Sequence, residues 1–278
     1  MAVDASPVVC LGDNCLDLYL PPVDRAFVGG SCLNVAVWLS RRSVSSAYVG
    51  AVGGDRAGEA VLAELSAQGV DRTHVRIVEG QATAITEIAL EGEGERRFVR
   101  ESYEIHEAYD PSAEQWAAVG AARHVHSSRI PRHLARLLSL GIEGASVSYD
   151  FSVDPLPASL DGLEVAFVPH DALPAGTRPT HAARELVERG CSCVVVTLGE
   201  RGSVAATTEE AIAVDATPTT IVRDTCGAGD AFIAAFLAAR LAGTPLRGCL
   251  DDGASAGAQV CSLLGAFPQQ GVTALTTT

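Results

Sequence analysis

Lysine is missing from this 278-residue chain: all 20 basic side chains are arginine. A Walker-type P-loop needs a lysine on the β/γ-phosphates, and a protein-kinase site needs one on its third strand. Schiff-base and lysine-base mechanisms are excluded as well. Such a chain can hold nucleotide phosphates only with backbone N–H groups, arginine or metal. Aromatics are scarce at 5%, so the core must be built from small aliphatic side chains, as in layered α/β proteins. The most apolar run, Ala231 to Ala242, contains Arg240 and is too short to span a bilayer. The eight cysteines form no Cys-x-x-Cys pair, and Cys191/Cys193 have no histidine pair at zinc spacing. The start, MAVDASPVV, lacks the basic and apolar regions of a secretory signal. The expectation is a reducing, cytoplasmic setting in which most thiols act as small core residues. Positive charge is also short: 20 basic against 34 acidic side chains leave −14. Nucleic acid and anionic membranes are therefore not expected partners.

What is present is a regular alternation of short apolar runs and helix-like stretches. Strand-type runs fall at Val8–Leu11, Ala47–Val52, His124–Ser127, Ser146–Tyr149, Val165–Val168 and Cys193–Thr197. Helical patterns are expected behind Gly29-Gly30, over about 57–68, 112–122, 132–140 and 181–189, and in two long final segments to Leu241 and Leu264. This order predicts βαβ units and a mostly parallel sheet covered on both faces. One segment departs from it. Thr83–Leu90 and Arg96–Ser102 alternate in the strand period around Glu91-Gly92-Glu93-Gly94-Glu95, which reads as a hairpin. Inserted after the second βα unit, it is expected to project as a lid and to pair with residues between Leu16 and Val28.

Asp224-Thr225-Cys226-Gly227-Ala228-Gly229-Asp230 runs straight into an apolar helix. The first N–H groups of a helix lack partners and carry the positive end of its dipole. Bare glycines let an anion approach them. Asp230 in the first turn sits beside that anion, an odd choice for binding alone. It fits a base that takes a proton from a nucleophile attacking a bound phosphoryl group. A capped helix start with packing glycines would give the same string. Gly29-Gly30-Ser31-Cys32-Leu33-Asn34 is a second glycine pair before a helix, and the Asn34 amide can both donate to and accept from hydroxyls. Asp13 stands where the first strand ends, the place where open α/β sheets bind ligands. By residue type alone, Asp13 and Asn34 also fit a turn and a core amide. Thr197-Leu198-Gly199-Glu200-Arg201-Gly202-Ser203 reads as a tight turn after an apolar strand, and Asp150-Phe151-Ser152 closes another.

In this order the pieces resemble the PfkB/ribokinase family of carbohydrate kinases, over about Val8 to Leu264. The Gly-Gly…Asn34 segment is similar to the family's first signature, and Asp224–Asp230 matches the second, D-T-x-G-A-G-D, without a gap. The resemblance implies a ribokinase-like three-layer α/β/α sandwich with a small β-sheet lid, here one kinase domain over 1–278 with its lid at about 16–28 and 83–102. It implies ATP, Mg²⁺ and phosphoryl transfer to a hydroxymethyl group. Asp230 would be the base, and Gly227, Ala228 and Gly229 the anion hole. Asp13, Gly29, Gly30 and Asn34 would hold the acceptor. Thr197, Gly199, Gly202, Ala254 and Ala258 would line the nucleotide site. A monovalent-cation site near the Asp224 loop and a homodimer through the lid belong to the same expectation. Gly12–Tyr19, Asn34–Val37, Val125–Ser127, Ser148–Ser152 and Thr197–Glu200 look closer to fructoselysine 6-kinases than to ribokinase. A kinase for a plain ketose, ribose or nucleoside, or a non-catalytic binder, stays open beside that. The family's N-x-x-E motif, which helps organise Mg²⁺, has no counterpart in Phe167-Val168-Pro169-His170-Asp171-Ala172-Leu173-Pro174. No residue is assigned to metal, though Asp171 could serve in part. The prolines and glycine of Pro174–Pro179 forbid a helix there.

Overall fold

The computed structural model describes residues 7–90 and 96–273. The first half of the chain forms β1 (Val8–Leu11), β2 (Cys15–Tyr19), β3 (Arg25–Gly29), α1 (Ser31–Arg41), β4 (Ser46–Gly53), α2 (Arg56–Ala67), β5 (Val75–Val78), β6 (Ile85–Leu90), β7 (Arg96–Ser102), α3 (Glu104–Ala108), α4 (Ala113–Gly120) and β8 (His124–Ser128). There follow α5 (Pro131–Ile142), β9 (Val147–Asp150), β10 (Val165–Pro169), α6 (Pro179–Glu188), β11 (Cys193–Thr197), β12 (Ser203–Ala206), β13 (Ala211–Val214), α7 (Ala228–Leu241), α8 (Leu246–Val260) and β14 (Val272–Thr273).

A nine-stranded sheet in the order β13-β12-β11-β10-β9-β8-β1-β4-β5 carries the structure. Its strands from β5 to β11 are parallel, and β12 and β13 add an antiparallel edge. Strands such as β1 and β9 are buried along their whole length, because helices cover both faces. Helices α1, α2, α7 and α8 pack on one face around Trp38, Phe232 and Phe236. Helices α3 to α6 cover the other around Ile105, Trp116 and Leu186. Alanine and glycine make the α7–α8 contact close: Gly253 lies under the Phe232 ring, where a Cβ would sit 2.9 Å from ring carbons. All eight cysteines are unpaired, and seven are buried.

A second sheet, β14-β3-β2-β6-β7, stands apart from the first. β2 and β3 form a hairpin, β2 pairs with β6 in parallel, and β6 with β7 antiparallel. The residues between Leu16 and Val28 do therefore pair with the later hairpin. Its tip, residues 91–95, lies outside the described residues. The chain from Leu173 to Arg178 is not helical, and α6 starts at Pro179, where a proline costs no hydrogen bond. The last long helix ends at Val260 rather than Leu264.

Candidate active site

Two helix starts meet at the carboxyl ends of the parallel strands. Asp230, in the first turn of α7, faces the first turn of α1. Asn34 Nδ2 donates to Asp230 Oδ2 at 2.7 Å, and Ser31 Oγ donates to Oδ1 at 3.0 Å. Both carboxylate oxygens are thus fixed by donors from one helix. Burial pushes the Asp230 carboxyl up to about 6. The Asn34 and Ser31 hydrogen bonds and the Arg96 charge oppose that rise, while Asp13 adds to it. At neutral pH the group is ionised yet more basic than an ordinary aspartate, the condition a general base needs.

Asp13 does more than the sequence suggested. Gly30, the residue preceding α1, has no side chain with which to cap the helix. Asp13 supplies the cap from across the site: Oδ2 accepts from the Ser31 N–H and Oδ1 from the Cys32 N–H, both at 3.1 Å. This anchors the turn that presents Ser31 and Asn34 to Asp230. Gly29 is required by a close approach, since a Cβ there would collide with Asp17 Oδ2. Asn34 is buried, and its Oδ1 has no partner. A buried acceptor left unpaired is costly, so that oxygen is suited to receive a hydroxyl donated by a bound molecule.

The start of α7 is built for an anion. Gly227 caps the helix in the left-handed region at φ 73°, and a Cβ there would lie 2.5 Å from the Ala266 methyl carbon. Gly229 is exposed, with nothing nearby to crowd a ligand. Asp224 is wholly buried and holds the loop: it accepts from Tyr19 O–H at 2.5 Å, from the Gly265 N–H at 2.9 Å and from the Cys226 N–H at 2.9 Å. Tyr19 belongs to β2, so the second sheet is tied to the α7 loop.

The remaining expected residues lie around the same edge. Thr197 ends β11, and Gly199 turns at φ 60° just beyond it. A Cβ on Gly202 would run into Val214 O, so this glycine serves strand packing. Ala254 and Ala258 are half-buried on α8, which contacts β12 and β13. Asp171 is exposed on a short turn after β10. Among the described residues no three His, Cys, Asp or Glu side chains converge as a metal site.

Several participants carry no motif of their own. Asp17 is buried in the second sheet between two thiols, with Cys15 Sγ 3.1 Å from Oδ1 and Cys226 Sγ 3.9 Å from Oδ2. Burial pushes it up to about 7. Asp150 is also raised to about 7 by burial, although Ser152 donates to it through both N–H and O–H. Arg96 on β7 reaches the field of Cys226, Asp230 and Asp224, which raise its pKa against the effect of burial. Arg129, just after β8, lies beside Glu101 and Tyr103. Register across the second sheet brings the β7 residues here, and register is not a local property of sequence.

The family described as pfkB family carbohydrate kinase matches residues 9–147 and 170–269. Fructoselysine 6-kinase of Escherichia coli is 31% identical over 266 residues, covering 92% of this chain and 98% of that protein. A fructosamine kinase of Bacillus subtilis is 27% identical over 94% of this chain and 92% of its own length. Among solved structures, Arabidopsis thaliana ribokinase complexed with ribose and ATP superposes with a TM-score of 0.83 at 24% identity, covering 94% of each chain. No described helix is long and apolar enough to cross a membrane.

Proposed function

The chain belongs to the pfkB family of carbohydrate kinases, and on that premise we propose that it transfers the γ-phosphoryl group of ATP to a hydroxymethyl group of an amine-linked ketose, a fructoselysine-like acceptor. The observation that carries the catalytic part is the doubly held Asp230 carboxylate at the glycine-flanked start of α7. The fructoselysine and fructosamine kinases, which match along nearly the whole chain, support that acceptor class, beside a fructokinase of Salmonella typhimurium that matches 95% of it at 30% identity.

In this reading the acceptor sugar lies over Asp17 and Asn34, with its reacting hydroxyl at Asp230. Asp230 takes the proton as the oxygen attacks phosphorus. Charge grows on the transferring oxygens, and the N–H groups of residues 227–229 meet it with dipoles already aligned. Asp13 keeps the α1 turn in place throughout. Small residues on α8, Ala254 and Ala258 among them, leave room for a flat base. Thr197 and Gly199 border it, with Gly202 shaping the turn behind them. When bound, Mg²⁺ would supply charge neutralisation on the nucleotide. Among the described residues no three carboxylate, imidazole or thiol groups converge to hold it, so phosphate oxygens and water would make up most of its ligands. Edge strand β7, with Phe98 and Val99 49% and 44% exposed, is the surface on which a second copy would pair. A single species of monomer mass in solution scattering would contradict that pairing.

The test is ADP release on an acceptor panel of fructoselysine, psicoselysine, fructose, ribose and adenosine. Turnover of an Amadori compound above the rest is expected. Good turnover of fructose or ribose with none of the Amadori compounds would refute the acceptor class. Asp230→Asn should lose on the order of 10²-fold or more in turnover, as for a general base. Wild-type turnover in that variant would refute the catalytic reading.

A further inference from the structure

Arg129 is an arginine where the backbone does not favour one. It follows β8 with φ 57°, in the left-handed region, a conformation that costs a non-glycine residue on the order of 1 kcal/mol or more. Its Nη2 lies 3.0 Å from Glu101 Oε1, and its guanidinium carbon is 4.0 Å from the centre of the Tyr103 ring. The two charged side chains remain 29% and 38% exposed. An ion pair that open to water contributes little to stability, and the left-handed turn is held through the Arg129 backbone N–H, which donates to Asp154, so the turn does not need the Glu101 pair. Among the described residues, Glu101 is the single side-chain hydrogen-bond acceptor for the guanidinium, and the rest of the five-donor fork is left over. A guanidinium with unused donors, held at the ligand-binding edge of a parallel sheet, points to recognition.

The register of the second sheet says what is recognised. Asp17 on β2 is opposite Thr86 on β6, and Thr86 is opposite Glu101 on β7. The three side chains therefore form one row on one face. Its first member lies beside Cys226 and the α7 loop, and its last holds Arg129. Thr86 is buried between them, its Oγ 3.2 Å from the Tyr103 hydroxyl. Two strand spacings make this row about 10 Å long. An extended chain gains roughly 3.5 Å for every three bonds, so about eight bonds cover it. Eight bonds separate the anomeric carbon of a ketose from the carboxylate carbon of a lysine linked through its ε-nitrogen.

Resting on the reading of the acceptor as an amine-linked ketose, we propose that Arg129 and Glu101 form the head-group site of this kinase. Arg129 receives the carboxylate and Glu101 the ammonium of the free amino-acid head, while the sugar lies over Asp17 and Asp230. A positive and a negative side chain side by side complement a zwitterion. A dianionic phosphate would meet the Glu101 carboxylate at the same place.

Steady-state kinetics on Nε-fructosyllysine, its Nα-acetyl derivative and the headless N-fructosylpentylamine test this. Wild-type enzyme should prefer fructosyllysine over the headless compound by about tenfold to a hundredfold in kcat/KM, the range for hydrogen bonds between charged groups. Arg129→Met should collapse that ratio through KM, and Arg129→Lys should restore part of it. Glu101→Gln should erase the preference for the free amine over the acetylated one. If Arg129→Met loses activity equally on the headed and headless acceptors, the pair is a structural latch of the lid and the proposal is wrong. If wild-type enzyme turns over fructose or ribose but no amine-linked ketose, the acceptor reading and the head-group site both fall.

Discussion

Burial makes Asp230 basic, and two hydrogen bonds that can be deleted one at a time hold that basicity down. Ser31 Oγ donates to Oδ1 at 3.0 Å and Asn34 Nδ2 to Oδ2 at 2.7 Å. Both favour the ionised carboxylate and hold down a pKa that burial pushes up to about 6. A hydrogen bond to a charged group contributes about 1.5–3 kcal/mol, and 1.36 kcal/mol corresponds to one pH unit. Removing either donor should therefore raise Asp230 by about one to two units. The shorter Asn34 bond should give the larger change. Because the base must be ionised to act, its rate falls as pH drops through its pKa. The acid limb of the pH–rate profile should then move to higher pH in Ser31→Ala, and further in Asn34→Ala. The assay is kcat/KM for the acceptor at saturating ATP from pH 5 to 9. Bound phosphates raise the limb in every variant, so the predicted quantity is the displacement. A rate that falls evenly at all pH values, with the limb unmoved, would show that these side chains do not tune the base.

Asp13→Ala removes the acceptor of two N–H groups at the start of α1, and should cost about 1–3 kcal/mol in urea denaturation as well as turnover; an unchanged midpoint would contradict the capping role. Gly227→Ala forces a Cβ into Ala266 at φ 73°, and should reduce kcat on the order of 10²-fold by displacing an anion-hole donor; wild-type kinetics in that variant would place the phosphoryl group elsewhere. Stability should also depend on pH through buried groups of opposite sign. Asp17 and Asp150, raised to about 7, and Asp230, raised to about 6, stabilise the fold at low pH, and that contribution is lost as pH rises through those values. His124 and His126, lowered by burial to about 4 and about 3, stabilise it above their ordinary value and lose that as pH falls. Three raised carboxyls outweigh two lowered imidazoles, so Tm should decline from about pH 4.5 to 7 and level off above that, where the carboxyls are ionised in both states; a steady rise over that interval would refute this balance, and Asp150→Asn should flatten the fall.

Sequence legibility followed locality. Asp224–Asp230 is contiguous, and its geometry follows from glycine, helix polarity and one carboxylate, so the glycine-capped helix start could be read directly. The Thr83–Leu90 and Arg96–Ser102 hairpin was legible because strand alternation is local. Asp13 could be singled out at the end of β1 but not as the cap of α1, because its partners are 18 and 19 residues away. Arg96, Glu101 and Arg129 were invisible, because their approach depends on sheet register and on a strained turn. The end of α8 was misjudged for a similar reason. Apolar periodicity continues to Leu264, yet the chain must leave the helix so that Gly265, at φ 74°, can bring its N–H to buried Asp224. The β12–β13 edge has short, alanine-rich strands that signal little beyond a turn, and its antiparallel pairing is imposed by β11.

The absence of lysine constrains how this site can neutralise charge. Asp13, Asp17, Asp150, Asp224 and Asp230 gather near the site, and burial first, with their mutual repulsion adding to it, raises three of them. In the proposed function a nucleotide would bring more negative charge to the same place. A lysine on the central sheet would answer it permanently. Here the fixed answer is the α7 N-terminus, whose N–H dipoles stabilise an anion without adding a net charge. The net cations, Arg96 and Arg129, stand at the second sheet: Arg96 lies on it, and Arg129 is bound to it through Glu101. Full neutralisation therefore requires the second sheet to be seated, which Tyr19 secures by donating to Asp224. In the proposed reaction the charge balance for phosphoryl transfer would be complete only with the second sheet over the acceptor, which would keep water away from the transferring group.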